Sequence, residues 1–365
     1  MDALFPLGFP LPTAFYMVLY VVTLVLHVLC MNYVIAGAGY LAFACLFPGG
    51  EKRRCNSPLA ETIRDWLPFA LGAAITAGVA PLLFVQILYK EPFYTANLLL
   101  SHRWMAILPV LITGFYLLYL LKSRTIEGWH PRTRILAGIG AFLCFAFTGY
   151  SWSENHVLAL AGQETWSAFY EAGRLFHMEG ELHPRLLVFL VGSIPTLCLL
   201  AGWQLRRRED HGASETRRLA LLALGGLVVT GIAAFGWYQA TGTARREAVF
   251  SAMAMPYFVA AAAGVLLMGL VWALVLAKRS FAAPLLWTAT LSWVVTVLGM
   301  NVAREAVRVA SFPDFETFYP AHAAAFKVAG FPVFLFFAVV CGAILFVAFR
   351  AILRDLRQPA SSGPG

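Results

Sequence analysis

The chain has 365 residues, of which 60% are hydrophobic and only 13% charged, and its mean hydropathy is +0.73, a combination that excludes an ordinary soluble domain. Hydrocarbon offers backbone N–H and C=O groups no partner, so apolar runs of about 20 residues are read as helices, and their continuity argues against a barrel. The formal charge of +8 does not point to nucleic acid, because the basic residues cluster at the ends of apolar runs, where membrane topology requires them.

The sequence predicts an all-α integral membrane protein with about nine transmembrane helices, roughly over 14–46, 66–89, 103–122, 133–152, 183–205, 218–240, 249–277, 282–303 and 328–353. The first run carries His27 and has no basic segment or small-residue cleavage site before it, so it is read as mature structure. The runs Gly72–Gly78 and Gly225–Gly236 resemble helix-packing surfaces. Between the fourth and fifth helices, Gln163–Glu181 mixes aromatic and charged residues, as an amphipathic surface helix or a partner-docking surface does. His183 opens the fifth helix, Met253 and Met255 the seventh, and Arg304, Glu305 and Arg308 close the eighth. With no soluble domain or clear repeat, residues 1–355 are expected to form one transmembrane domain, and 356–365 a flexible tail.

Most of the 27 Lys and Arg residues fall in the segments after helices 1, 3, 5, 7 and 9, Arg53, Arg124, Arg207, Lys278 and Arg354 among them. The positive-inside rule then puts the N-terminus outside and the C-terminus inside. The six cysteines include no CxxC pair and all but Cys55 lie in apolar runs, which argues against a disulfide framework, a zinc site or covalently attached heme c.

In this orientation His27, His183, Met253, Met255 and Glu305 converge near the outer boundary. Imidazole and thioether are axial ligands of b-type heme, a lone carboxylate serves a five-coordinate heme, and Arg304 and Arg308 can pair with propionates. Each residue also has a structural reading. His27 can bond a neighbouring helix, Met253 and Met255 can fill the core, Glu305 can form a salt bridge with its arginines, and His183 can face water at a helix start. His102, His156, His177 and His322 are expected to be solvated on the outer side, His177 being a minor ligand candidate.

The stretches LHVLCMNYVIAGAG around His27 and GMNVAREAVR around Glu305 resemble subunit I of the cytochrome bd oxidase superfamily, and the short-loop relatives lacking the quinol loop more closely. The run Gly78–Leu100 and the segments SWSENHVLAL and HPRLLVF share that likeness, which spans helices 1 to 8. The resemblance implies His27 and Glu305 as ligands of two high-spin hemes, and His183 with Met253 or Met255 as ligands of a low-spin heme. Three departures accompany it. Only Thr241–Phe250 separates helices 6 and 7, where quinol oxidases carry a long loop; Trp104–Leu121 has no acid; and Val188 stands where relatives have a second histidine.

The expectation is a multi-pass cytochrome b of the bacterial inner membrane holding one to three hemes b, a modified heme included. It would move electrons between heme and an outer-side c-type cytochrome or other redox subunit, with oxygen reduction as the nearest alternative. A heme-free quinone-binding anchor of a peripheral oxidoreductase and a transporter are the rivals from other classes.

Overall fold

The computed structural model describes residues 5–44, 57–123, 131–178, 180–208 and 212–330, with single positions between 332 and 350. Among these the chain is entirely helical. Long helices α1 (Leu11–Ala44) and α2 (Pro58–Leu88) are followed by the short α3 (Lys90–Leu100) and α4 (His102–Met105), then α5 (Ile107–Lys122) and α6 (Pro131–Ala159). After α7 (Gln163–Glu171) come α8 (Leu182–Leu205), α9 (Ala213–Ala240), the short α10 (Thr243–Val249), α11 (Met255–Lys278) and α12 (Ala283–Ala310). A 3-10 turn (Phe315–Phe318), α13 (Tyr319–Ala325) and a π turn (Phe326–Gly330) complete the described chain.

Among the described residues, eight helices are long and apolar enough to cross a membrane, with α4 and α5 forming one span. They correspond to the first eight predicted runs. The ninth, over 328–353, lies almost wholly outside the described residues, as do Cys45, Cys55, Cys341 and the tail. The described cysteines Cys30, Cys144 and Cys198 are free thiols.

Several helices outrun their apolar windows, for a consistent reason. Helix α2 starts at Pro58 because Ser57 caps it, accepting from the Ala60 N–H at 3.2 Å, with proline at the first position and Glu61 in the first turn. Helix α6 continues past residue 152 through Glu154, Asn155 and His156, and α12 continues past 303 to Ala310. Hydropathy drops at these polar residues, yet backbone hydrogen bonding does not. The amphipathic helix expected over Gln163–Glu181 stops at Glu171, and its exposed Tyr170 and buried Phe169 divide it into two faces.

The spans run up and down, so two ends of the bundle can be distinguished. The end where α1 begins, here the N-face, also collects α3, α4, α7, α10 and α13. At the other end Arg208 pairs with Glu61 at 3.2 Å, Lys122 donates to the Asp65 carbonyl at 3.0 Å, and Arg206 donates to the Phe281 carbonyl at 2.8 Å. Helix α1 is central, packing chiefly on α2, α6 and α8; α11 packs on α12, and α8 on α9. Thr196 on α8 accepts from Asn32 of α1 at 3.0 Å and from the Trp293 indole of α12 at 2.8 Å, a buried polar tie between three helices. Large apolar side chains such as Leu266, Leu291 and Leu108 point outward, as lipid-facing residues do.

The closest backbone approach is between α11 and α12, where a Cβ at Gly299 would lie 2.8 Å from the Tyr257 carbonyl oxygen. The small-residue runs singled out in the sequence behave otherwise. Gly72, Gly225, Gly231 and Gly236 face no close neighbour, while Gly78 and Gly226 do pack.

Candidate functional site

Glu305 lies on the last turns of α12 and is completely buried. Its Oε1 accepts from Arg304 Nη2 at 2.9 Å and Nε at 3.1 Å; its Oε2 accepts from the Tyr89 hydroxyl at 3.0 Å and lies 3.8 Å from Arg308 Nη1. Arg304 also donates to the Tyr20 hydroxyl at 3.0 Å, and the Arg308 guanidinium stacks 3.7 Å from the Tyr89 ring centroid. Two arginines, one carboxylate and two phenols thus knit α1, α12 and the α2–α3 junction. Burial, followed by the charge of Glu305, holds the Tyr89 phenol well above its ordinary pKa, so it remains an O–H donor.

Aromatic rings roof this network. Tyr89 stacks on Phe312 with centroids 5.9 Å apart, and Phe315 and Phe318 pack beside it from the segment after α12. His322 on α13 locks that segment down. The Leu88 carbonyl can only accept, so His322 Nε2 carries the proton it donates at 3.1 Å; Nδ1 then accepts from the Thr13 hydroxyl at 2.9 Å. Expected to be solvated, His322 is instead 0% exposed, and burial lowers its pKa.

His27 occupies a different level. It lies midway along α1, seven residues beyond Tyr20, which is about 10 Å along a helix axis. His27 is therefore set back from the Glu305 network along the helix axis. Its Nδ1 faces the Ala74 carbonyl at 2.9 Å, which fixes that nitrogen as the donor. Nε2 makes no hydrogen bond among the described residues and keeps accessible surface. The ring rests on Gly78, where a Cβ would come within 2.9 Å of Cε1 and Nδ1.

The remaining sequence candidates disperse. His183 and Met255 are exposed, His183 with its ring against Tyr150, and half-buried Met253 lines an N-face cavity of about 530 Å³ with Phe9, Phe312 and Tyr319. Two further buried clusters lie at the N-face instead, one around Glu154 and one around Glu181. Glu154, 0% exposed, pairs with Arg103 and accepts from the His177 backbone N–H, while Asn155 donates to Asn97 at 2.7 Å. Glu181, also buried, pairs with Arg245, accepts from the Thr241 hydroxyl at 3.1 Å and lies 3.9 Å from Arg185. His177 and His156, expected in water, are buried and half-buried. The signal for these residues was present as Glu154 and His156 two positions apart, next to an apolar run, but no local spacing rule assigns them a partner.

Among the described residues, no three His, Cys, Asp or Glu side chains converge to cage a metal ion. An axial heme ligand requires no such cage, since one imidazole suffices. No protein-family model matches the chain, and no curated protein matches it.

Proposed function

We infer that the chain is a membrane b-type cytochrome, similar to the short-loop relatives of cytochrome bd subunit I, with the N-face directed outward in a bacterial inner membrane. It would pass electrons between heme near that face and an outer-side donor such as a c-type cytochrome. The observation that carries this reading is the imidazole of His27. Its Nδ1–H is committed to the Ala74 carbonyl, which leaves the Nε2 lone pair available inside the span, the arrangement that metal-bound histidines use to fix tautomer and ring orientation.

The fit differs between the two expected ligands. His27 has a free ligating atom, whereas both oxygens of Glu305 are engaged by Arg304, Arg308 and Tyr89. His27 is therefore the favoured axial ligand, and Glu305 with its two arginines is a charged cluster about two helical turns nearer the N-face. Heme, when bound, supplies reversible one-electron chemistry. The chain's own residues orient the imidazole through Ala74 and leave room for the ring through Gly78.

A heme-free quinone-binding anchor is the second reading. A groove of about 640 Å³ bounded by Leu26, Cys30, Phe69, Ala73, Phe115 and Tyr119 favours it, being apolar and beside His27. Absorption spectra of protein purified after heme-supplemented expression, oxidised and dithionite-reduced, separate the two. The cytochrome reading expects reduced-heme bands that His27→Ala removes or shifts. A heme-free spectrum supports the anchor, whereas heme bands that His27→Ala leaves untouched defeat His27 as ligand. Oxygen uptake with an added donor then distinguishes relay from oxidase.

A further inference from the structure

The N-face cavity of about 530 Å³ contains neither His27 nor Glu305, and its size falls within the range of about 300–1,000 Å³ typical of small-molecule sites. Three aromatic rings from separate segments meet in its wall: Phe9 ahead of α1, Phe315 of the 3-10 turn and Tyr319 of α13. Their centroids are 5.6 Å apart for Phe9 and Phe315, 6.2 Å for Phe9 and Tyr319, and 6.0 Å for Phe315 and Tyr319. Half-buried Met253, on the approach to α11, adds a polarisable thioether. The wall is held from behind, because Phe315 is buried against Tyr89 while His322 fixes α13 to Leu88 and Thr13. Its shape is therefore set before a ligand arrives, which lowers the cost of binding.

Two carboxylates complete the lining. Asp314 and Glu316 flank Phe315, both are exposed, and neither side chain makes a hydrogen bond or an ion pair among the described residues. No Lys, Arg or His lines the cavity among the described residues, although the chain as a whole carries a formal charge of +8. The pocket is thus locally negative on a positive protein. A divalent metal ion is poorly served there, since Ca²⁺ takes about six to eight oxygen ligands and, among the described residues, no three His, Cys, Asp or Glu side chains converge. Rings beside carboxylates instead suit a cation that carries its own apolar surface and little bound water.

We propose that this cavity binds a small organic cation of the quaternary-ammonium class. The rings of Phe9, Phe315 and Tyr319 take up its methyl groups and add cation–π attraction, while Asp314 and Glu316 supply the counter-charge. Both carboxylates face water, so their attraction is modest and screened by salt. The aromatic wall therefore provides the discrimination against Na⁺, which keeps its hydration shell. The site is separate from His27, so the inference does not depend on the cytochrome reading.

The test titrates full-length protein, in an uncharged maltoside detergent, with choline chloride by isothermal calorimetry. NaCl at equal ionic strength is one reference, and dimethylbutanol, the uncharged carbon isostere of choline, is the other. Choline should bind saturably and about ten-fold more tightly than the alcohol. The double variant Asp314→Asn with Glu316→Gln alters only exposed side chains, and should weaken choline about ten-fold while leaving the alcohol unmoved. Tyr319→Leu removes a ring but keeps apolar bulk, and should weaken choline about five-fold. Glu164→Gln, an exposed acid on α7, should change nothing. Should Tyr319→Leu fail to fold, the comparison of choline with its isostere on the parent chain still decides the matter. Absence of saturable choline binding, equal affinity for choline and the alcohol, or a choline affinity that the double variant or folded Tyr319→Leu leaves unchanged overturns the proposal.

Discussion

Replacing Glu305 with glutamine keeps the side-chain shape and removes one negative charge from a fully buried network. Both carboxylate oxygens act as acceptors: Oε1 for Arg304, and Oε2 for Tyr89 with Arg308 nearby. An amide has one oxygen and one NH₂, so either rotamer turns donors toward donors on one side. Arg304 and Arg308 are then left beside a neutral group, and breaking a buried pair this way costs about 3–5 kcal/mol. Glu305→Asp keeps the charge but withdraws it by one methylene, so its loss should be smaller. Thermal unfolding of purified parent, Glu305→Gln and Glu305→Asp, with Arg308→Gln added to close a double-mutant cycle, measures this. The expected order of stability is parent, then Asp, then Gln, with a favourable coupling between positions 305 and 308. If Glu305→Gln melts within about 0.5 kcal/mol of the parent, the carboxylate is not bearing these contacts and the reasoning is refuted.

Three further outcomes follow from the packing. Gly78→Ala should destabilise by about 1–3 kcal/mol because its Cβ would lie 2.9 Å from the His27 ring, and His27→Ala in the same chain should relieve much of that loss in a melting assay. Thr196→Val should cost about 1–2 kcal/mol by orphaning the Asn32 and Trp293 donors, while Thr196→Ser should retain most of the stability. His322 is held neutral by burial, its folded pKa lying below the unfolded value of about 6.5. The unfolded chain therefore binds more protons in acid, so the His322 contribution is complete above that value and declines as pH falls through the folded pKa. Unfolding midpoints measured at pH 8 and pH 5 should converge more steeply for the parent than for His322→Asn, and parallel lines would contradict the role given to His322.

How much was legible in the sequence depended on the range of the interactions involved. Membrane-spanning helices follow from runs of apolar residues because backbone groups in hydrocarbon must bond within their own segment, so α1, α8 and α11 were found within a few residues of their ends. The salt bridge at Glu305 was also open to local reading, since Arg304 and Arg308 are its near neighbours on one helix. Tertiary structure alone decided the rest. Tyr89 reaches Glu305 and Tyr20 reaches Arg304 across sequence separations of more than two hundred residues, and the burial of His322 depends on Thr13 at the other end of the chain. Glu154 shows the same limit, because Arg103 and the His177 backbone come to it from other segments, and no periodicity within a single helix encodes which neighbour its polar side chains will face.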